Sequence, residues 1–164
     1  MTCPFAKRCD TRRSERKSST SFKKKEKRSM SAEENKRLIR HFFEGVNTRD
    51  MTAFEVFALD AIHHNPFPGT PAGREGNKQG MLLLFAAFPD WHTTIEDLIA
   101  EGDKVVVRMT QRGTHQGTFF GLTSTGKQVT VAGIAIFRLR HGQIVEEWLI
   151  TDQLGAMQQL GGIE

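Results

Sequence analysis

Residues 121–128 read GLTSTGKQ, and the fold turns on what this stretch is. A glycine, four residues and then Gly126-Lys127 satisfy all but the last position of the phosphate-cradling P-loop, which would make the chain a nucleotide-binding protein. A P-loop needs a strand before it and a helix N-terminus after it, because the helix amides and dipole hold the phosphate. Here both flanks, KVVVRMTQRGTH at 104–115 and QVTVAGIAIFRLR at 128–140, alternate or are rich in β-branched residues. The magnesium-binding Ser or Thr after the lysine is replaced by Gln128. The glycines are therefore expected to shape a long hairpin connection with Lys127 exposed on it, and nucleotide binding is set aside.

Working outward, residues 91–100 and 143–151 also read as strands, with Glu101-Gly102-Asp103 and His141-Gly142 as turns between neighbours. The first half has a different period. Ser31 with Glu34 forms a capping box, in which a serine accepts from the amide three residues on and the glutamate reaches back. Leu38, Ile39, Phe42, Phe43 and Val46 then follow the three-and-four spacing of a one-sided helix. A second, shorter helix is expected through Ala53, Phe54 and Phe57, and a third over 73–88, stopped by Pro89-Asp90. HHNPFPGTPAG between them is a turn-rich connection, and LGAMQQL closes the chain as a short helix. Three helices followed by a long antiparallel sheet give an α+β domain.

Composition narrows the class. With 38% hydrophobic and 26% charged residues among 164, one compact domain with its own core is expected. No apolar run approaches the ~20 residues of a membrane span. No apolar core of a secretory signal is visible, and a cytoplasmic location is the expectation. Both cysteines, Cys3 and Cys9, lie in the first ten residues, which rules out a disulfide framework for the domain. Residues 1–30 carry a net charge of +8 and residues 31–164 a net of −4, so the basic balance belongs to an N-terminal tail. That Ser-rich tail is expected to be disordered, and the domain to span 31–164. Nucleic-acid contact, a nuclear address through KKKEKR or a transit peptide could be attached to it. The plainer reading is a solvated tail, or sequence ahead of a start at Met30.

The stretches GTHQGTFFGLTSTGKQV, IAIFRLRHGQIVEEWLITD and QLGAMQQLG, with FPDWHTTIEDLIAEGDKVVVR upstream, resemble the SnoaL-like polyketide cyclase (ester cyclase) family of the nuclear transport factor two-like superfamily. The resemblance covers about residues 32–162. It implies a cone: a strongly curved, mainly antiparallel sheet wrapped around helices and enclosing an apolar pocket, often in a homodimer formed through the open sheet face. It implies an intramolecular aldol cyclisation without metal or cofactor, in which a carboxylate removes a proton beside a carbonyl and hydrogen-bond donors hold the enolate. By the same resemblance the cyclase's catalytic Asp falls at Leu149, its histidine at Ala135 and its pocket Asn at Asn65.

Other residues could carry related chemistry. Asp152, in EEWLITD, is a candidate general base, or else the N-cap of the closing helix. His115, where a strand runs into the glycine loop, is a candidate acid, or else a histidine that ties a turn. Alternation sends one of His63 and His64 inward; His64 and Asn65 are taken as candidate ligand contacts. Glu147 shares a side with Val145 and Leu149 and is an alternative carboxylate, or else pairs across the sheet with Arg138 or Arg108. Trp148 could line the pocket or pack. The histidines lack metal-ligand spacing, and no metal or cofactor is expected. Two functions stay open. One is a cofactor-independent enzyme of cyclase or isomerase type acting on a small apolar carbonyl compound. The other is a binding domain that has lost the founding base. Nucleic acid is expected to matter only weakly, through the tail.

Overall fold

The computed structural model describes residues 30–163, so the basic tail falls outside the described residues apart from Met30. Helix α1 spans Ala32–Asn47. The capping box at its start is formed: the Ser31 amide donates to Glu34 Oε2 at 2.7 Å, and the Glu34 amide to Ser31 Oγ at 3.2 Å. A 3-10 turn, Met51–Val56, leads into strand β1, Phe57–His63. Helix α2 (Gly73–Ala87) follows, then β2 (His92–Glu101), β3 (Lys104–Thr114), β4 (Gln128–Arg140), β5 (Gln143–Thr151) and the short helix α3 (Gln153–Leu160).

The strands form one curved open sheet in the order β1-β5-β4-β3-β2, and the helices pack against it in an α+β arrangement. All neighbours are antiparallel except β1, which runs parallel to β5. The second, shorter helix expected through Ala53, Phe54 and Phe57 is present as the six-residue 3-10 helix Met51–Val56, but it stops short of Phe57, which begins the strand FALDAIH. Sequence spacing does not announce that strand, because its mates on β5 lie more than eighty residues downstream. Tertiary pairing, not local propensity, makes it extended.

One stripe of α1 (Ile39, Phe42, Phe43, Val46) is buried against the concave face of β2 and β3. Phe42 meets the rings of Phe43, Phe54 and Phe57 at centroid distances of 5.2–5.3 Å, two of these contacts being edge-on, and Phe137 of β4 closes the cluster. Edge-on aromatic pairs contribute about 0.5–1.5 kcal/mol beyond the area they bury. The end of α1 is tied to β2 by a reciprocal pair: Asn47 Nδ2 donates to the Thr93 carbonyl, and the Thr93 amide to Asn47 Oδ1, both at 2.8 Å. Strand β4 alternates strictly, with Val129, Val131, Ala135, Phe137 and Leu139 inward. The β4–β5 hairpin turns on His141 and Gly142, both at positive φ (53° and 79°), the geometry of a two-residue primed turn.

One irregularity moves a residue. The β4–β5 register shifts after Arg138, so Val145 becomes an extra residue and Ile144, fully buried, takes the inward place. Strict alternation from Leu149 would have put Val145 there; a bulge resets the count.

Asp90, just before β2, holds the end of β3. Its carboxylate accepts from the Thr114 hydroxyl and from the Thr114 amide, each at 2.6 Å. These bonds, the hydroxyl first, keep its carboxyl below the usual range. A carboxyl depressed in the folded state adds stability above the ordinary carboxylate pKa, and that stability is lost as pH falls through the folded value. The urea midpoint of Asp90→Asn is therefore expected below that of the parent at neutral pH. The gap should close as the solution is acidified below about pH 4.

Candidate active site

The concave face, α2 and two loops enclose a cavity of about 860 Å³. Its wall is mostly apolar, with Phe67 and Phe119 among the aromatic residues and Met81 and Leu84 from α2. Gly80 of α2 makes room for Phe67, since a Cβ there would lie 2.8 Å from the Phe67 Cβ.

Set into this wall is a polar group drawn from three elements. His63, at the end of β1, lies opposite Glu147 of β5 in the parallel register. His63 Nδ1 is 2.7 Å from Glu147 Oε2, with the two side chains 9% and 11% exposed. Asn77 of α2 donates to the same oxygen at 3.2 Å. A carboxylate only accepts, so the short contact assigns the imidazole proton to Nδ1. Nε2 is left buried and without a partner among the described residues. The Phe57 ring packs against the imidazole at 5.4 Å, tilted by 45°. An imidazole with a carboxylate on Nδ1 and no hydrogen bond on Nε2, in a side chain that belongs to the cavity lining, supplies the groups of a proton-transfer site. Among the described residues no cluster of three or more His, Cys, Asp or Glu could hold a metal ion.

Each residue singled out from the sequence has a definite place. Asn65, Glu147 and Leu149 line the cavity. Asn65 Nδ2 donates to the Leu149 carbonyl at 2.7 Å, which pins the loop after β1 to β5. Glu147 pairs with neither Arg138 nor Arg108: Arg138 faces Glu146 at 2.9 Å and Arg108 faces Asp97 at 2.6 Å. Both arginines sit on the outer face of the sheet, whereas Glu147 points inward. Ala135 is fully buried in the main core, opposite Leu149.

His64 and Trp148 lie on the outer face. Their rings stack at 4.7 Å and 4°, and His64 Nε2 is 2.8 Å from Glu146 Oε1. His63 is thus the inward member of the histidine pair, and alternation alone could not say which it was. Sequence reading also missed Asn77, because α2 shows no reason to single out one polar residue among several.

His115 is fully buried beside the glycine loop. Its Nδ1 is 3.1 Å from Thr125 Oγ1 and accepts from the Thr125 amide at 3.3 Å, and its ring stacks on Phe88 at 5.2 Å. It latches the loop that carries Phe119. In that same loop Lys127 donates to the Leu160 carbonyl at 3.2 Å, serving the C-terminus of α3 rather than a phosphate. Asp152 is the N-cap of α3 and accepts from the Gly155 amide at 2.8 Å. Asp152→Ala is accordingly expected to cost about 1 kcal/mol of stability, read from the denaturant midpoint.

Comparison with known proteins agrees with this architecture. The sequence model of the SnoaL-like polyketide cyclase family matches residues 36–160. No curated protein sequence matches the chain. Among solved structures, TsrD from Streptomyces laurentii is 29% identical with a TM-score of 0.75, the match covering 82% of this chain and 99% of that one. IdmH from Streptomyces antibioticus, described as a candidate polyketide cyclase, is 34% identical with a TM-score of 0.69, over 77% and 98% of the two chains. AclR from Streptomyces galilaeus, described as a candidate hydroxylase, is 26% identical with a TM-score of 0.74, over 82% and 100%. With the family's sequence pattern running through nearly all of the folded domain, this chain belongs to the SnoaL-like polyketide cyclases.

Proposed function

We propose that this protein is a cofactor-independent enzyme that removes a proton next to a carbonyl of a small apolar molecule held in the cavity. The observation that carries the reading is the polar relay set in the cavity lining, with Asn77 on Glu147, Glu147 on His63 Nδ1 and no hydrogen bond on Nε2 among the described residues. Nε2 is covered in this structure and meets the ligand once the side chains over it shift. In this scheme His63 Nε2 takes the α-proton, the C–H electron pair moves into the carbonyl and an enolate forms. Glu147 holds the imidazole tautomer and offsets the positive charge that the ring acquires. Asn65 and Asn77 both line the cavity and each spends one amide N–H on a partner within the protein. Their remaining N–H groups are the donors available to the enolate oxygen. Where the substrate carries a second carbonyl, the enolate carbon attacks it and the imidazolium returns its proton to the new alkoxide, completing an aldol-type cyclisation. Where it does not, reprotonation at another carbon gives an isomer.

A second reading, a binding domain without turnover, is favoured by one observation. The position that the resemblance assigns to the founding base is Leu149, an apolar side chain on the cavity wall. One experiment separates the two. The protein is incubated in heavy water with cyclic ketones and β-keto esters, and deuterium uptake is followed by NMR in the parent and in Glu147→Gln. Accelerated exchange that the variant loses supports the enzyme. Ligands that raise the melting temperature with no exchange across the panel would leave a binding protein.

A further inference from the structure

The cavity has a second polar end that the proton-transfer scheme does not use. Gln111 of β3 pairs in register with Val131 of β4, whereas Glu147 of β5 pairs with Phe137. The two positions are six residues apart along β4, about 20 Å of strand at ~3.3 Å per residue. On the concave side of a curved sheet the inward side chains converge from such positions, so one elongated molecule can address both.

Trp91 stands beside Gln111 in this far wall, and both line the cavity. Its ring lies over β3 where Gly113 leaves space, since a Cβ at that glycine would meet Trp91 Cε3 at 2.8 Å. The indole N–H is buried and has no partner among the described residues. An indole nitrogen can only donate, and buried tryptophans usually find an acceptor. Gln111 is also buried, and its amide makes one long contact, 3.5 Å to Thr93 Oγ1. Two residues of the cavity lining at the end remote from Glu147 thus carry an unpartnered donor and an under-used amide. The indole N–H is covered in this structure, so a ligand oxygen reaches it as the side chains over it shift.

We propose that Trp91 and Gln111 form an acceptor subsite, at which the indole N–H donates to a carbonyl or hydroxyl oxygen at the end of the ligand remote from His63. The ligand class is then an elongated apolar molecule with an oxygen function near each end. The subsite rests on reading the cavity as a binding chamber, but not on His63 or Glu147 being catalytic.

The test uses a rigid apolar body with oxygen at one end or at both: androst-4-en-3-one and androst-4-ene-3,17-dione. Binding is followed by NMR titration of the full chain, with the indole N–H signal of Trp91 assigned through Trp148→Phe. The dione should bind roughly tenfold more tightly than the monoketone, the scale of one buried donor gaining a partner. It should also shift the Trp91 indole resonance. In Trp91→Phe, which keeps the aromatic packing, the preference should vanish while the monoketone still binds. Equal affinity of the parent for the two steroids, an unmoved indole resonance, or a preference that survives in Trp91→Phe would overturn the proposal. The same titration in Glu147→Gln separates it from the catalytic reading. A preference kept there shows that the subsite does not depend on Glu147, and a preference in a parent that itself exchanges no α-protons leaves the subsite standing and removes the enzyme.

Discussion

Replacing His63 by glutamine is expected to slow α-proton exchange by roughly a hundred- to ten-thousandfold, the usual contribution of a positioned general base. Glutamine occupies similar space and can still donate an amide N–H to Glu147, so the cavity wall stays filled. What is lost is the one basic atom. The fold should tolerate the change, because His63 lies outside the main hydrophobic cluster and the substitution leaves the β1–β5 backbone register untouched. Glu147→Gln should also slow exchange, since an amide neither fixes the Nδ1–H tautomer nor offsets an imidazolium. Asp152→Asn is the decisive control. Asparagine caps helices as well as aspartate does, so α3 should be retained. If exchange falls in Asp152→Asn and persists in His63→Gln, the base lies at the start of α3 and the scheme built on His63 is wrong.

The contrast between these residues shows what the sequence could convey. The strands β2 to β5 were legible because each is long and either alternates or is rich in β-branched residues. The α1 cap was legible because the capping box closes between Ser31 and Glu34, three residues apart. The false P-loop was dismissed for the same reason: strand signals flank it on both sides. Strand β1 was not legible, since FALDAIH is extended only by pairing with a distant strand. With β1 missing from the reading, the pairing of His63 with Glu147 could not be seen. Glu147 could be placed on the inward side of β5, but its partner is set by a parallel register that no local pattern encodes. Val145 was misplaced by a single bulge. His115 and Asp152 each drew notice as polar residues at the end of a strand, a place where structural latches and catalytic groups look alike in sequence. Their hydrogen bonds to Thr125 and Gly155 mark the latch and the cap.

Phe57→Ala should produce the largest loss of stability, and it links the core to the site. Phe57 is fully buried, contacts the rings of Phe42, Phe54 and Phe137, and packs against the His63 imidazole. Truncating a buried phenylalanine to alanine costs about 3–5 kcal/mol, from lost transfer energy and the cavity left behind. In a domain of this size that lowers the melting temperature by roughly 10–20 °C. It is also a large part of the ~5–15 kcal/mol that holds a typical domain together. Collapse of β1 is opposed from the other side, because Arg74 of α2 donates to the Phe57 carbonyl through Nε at 2.7 Å. The strand should therefore stay in place while the imidazole loses that ring contact. Phe57→Leu separates the two effects: it refills most of the volume at a smaller cost in stability but offers no flat ring to the histidine. If the imidazole plane is set by Phe57, exchange in Phe57→Leu falls well below that of the parent at a temperature where both are fully folded. Parent-like exchange in that variant would mean that Glu147 alone orients His63, and that the aromatic cluster serves stability without reaching the chemistry.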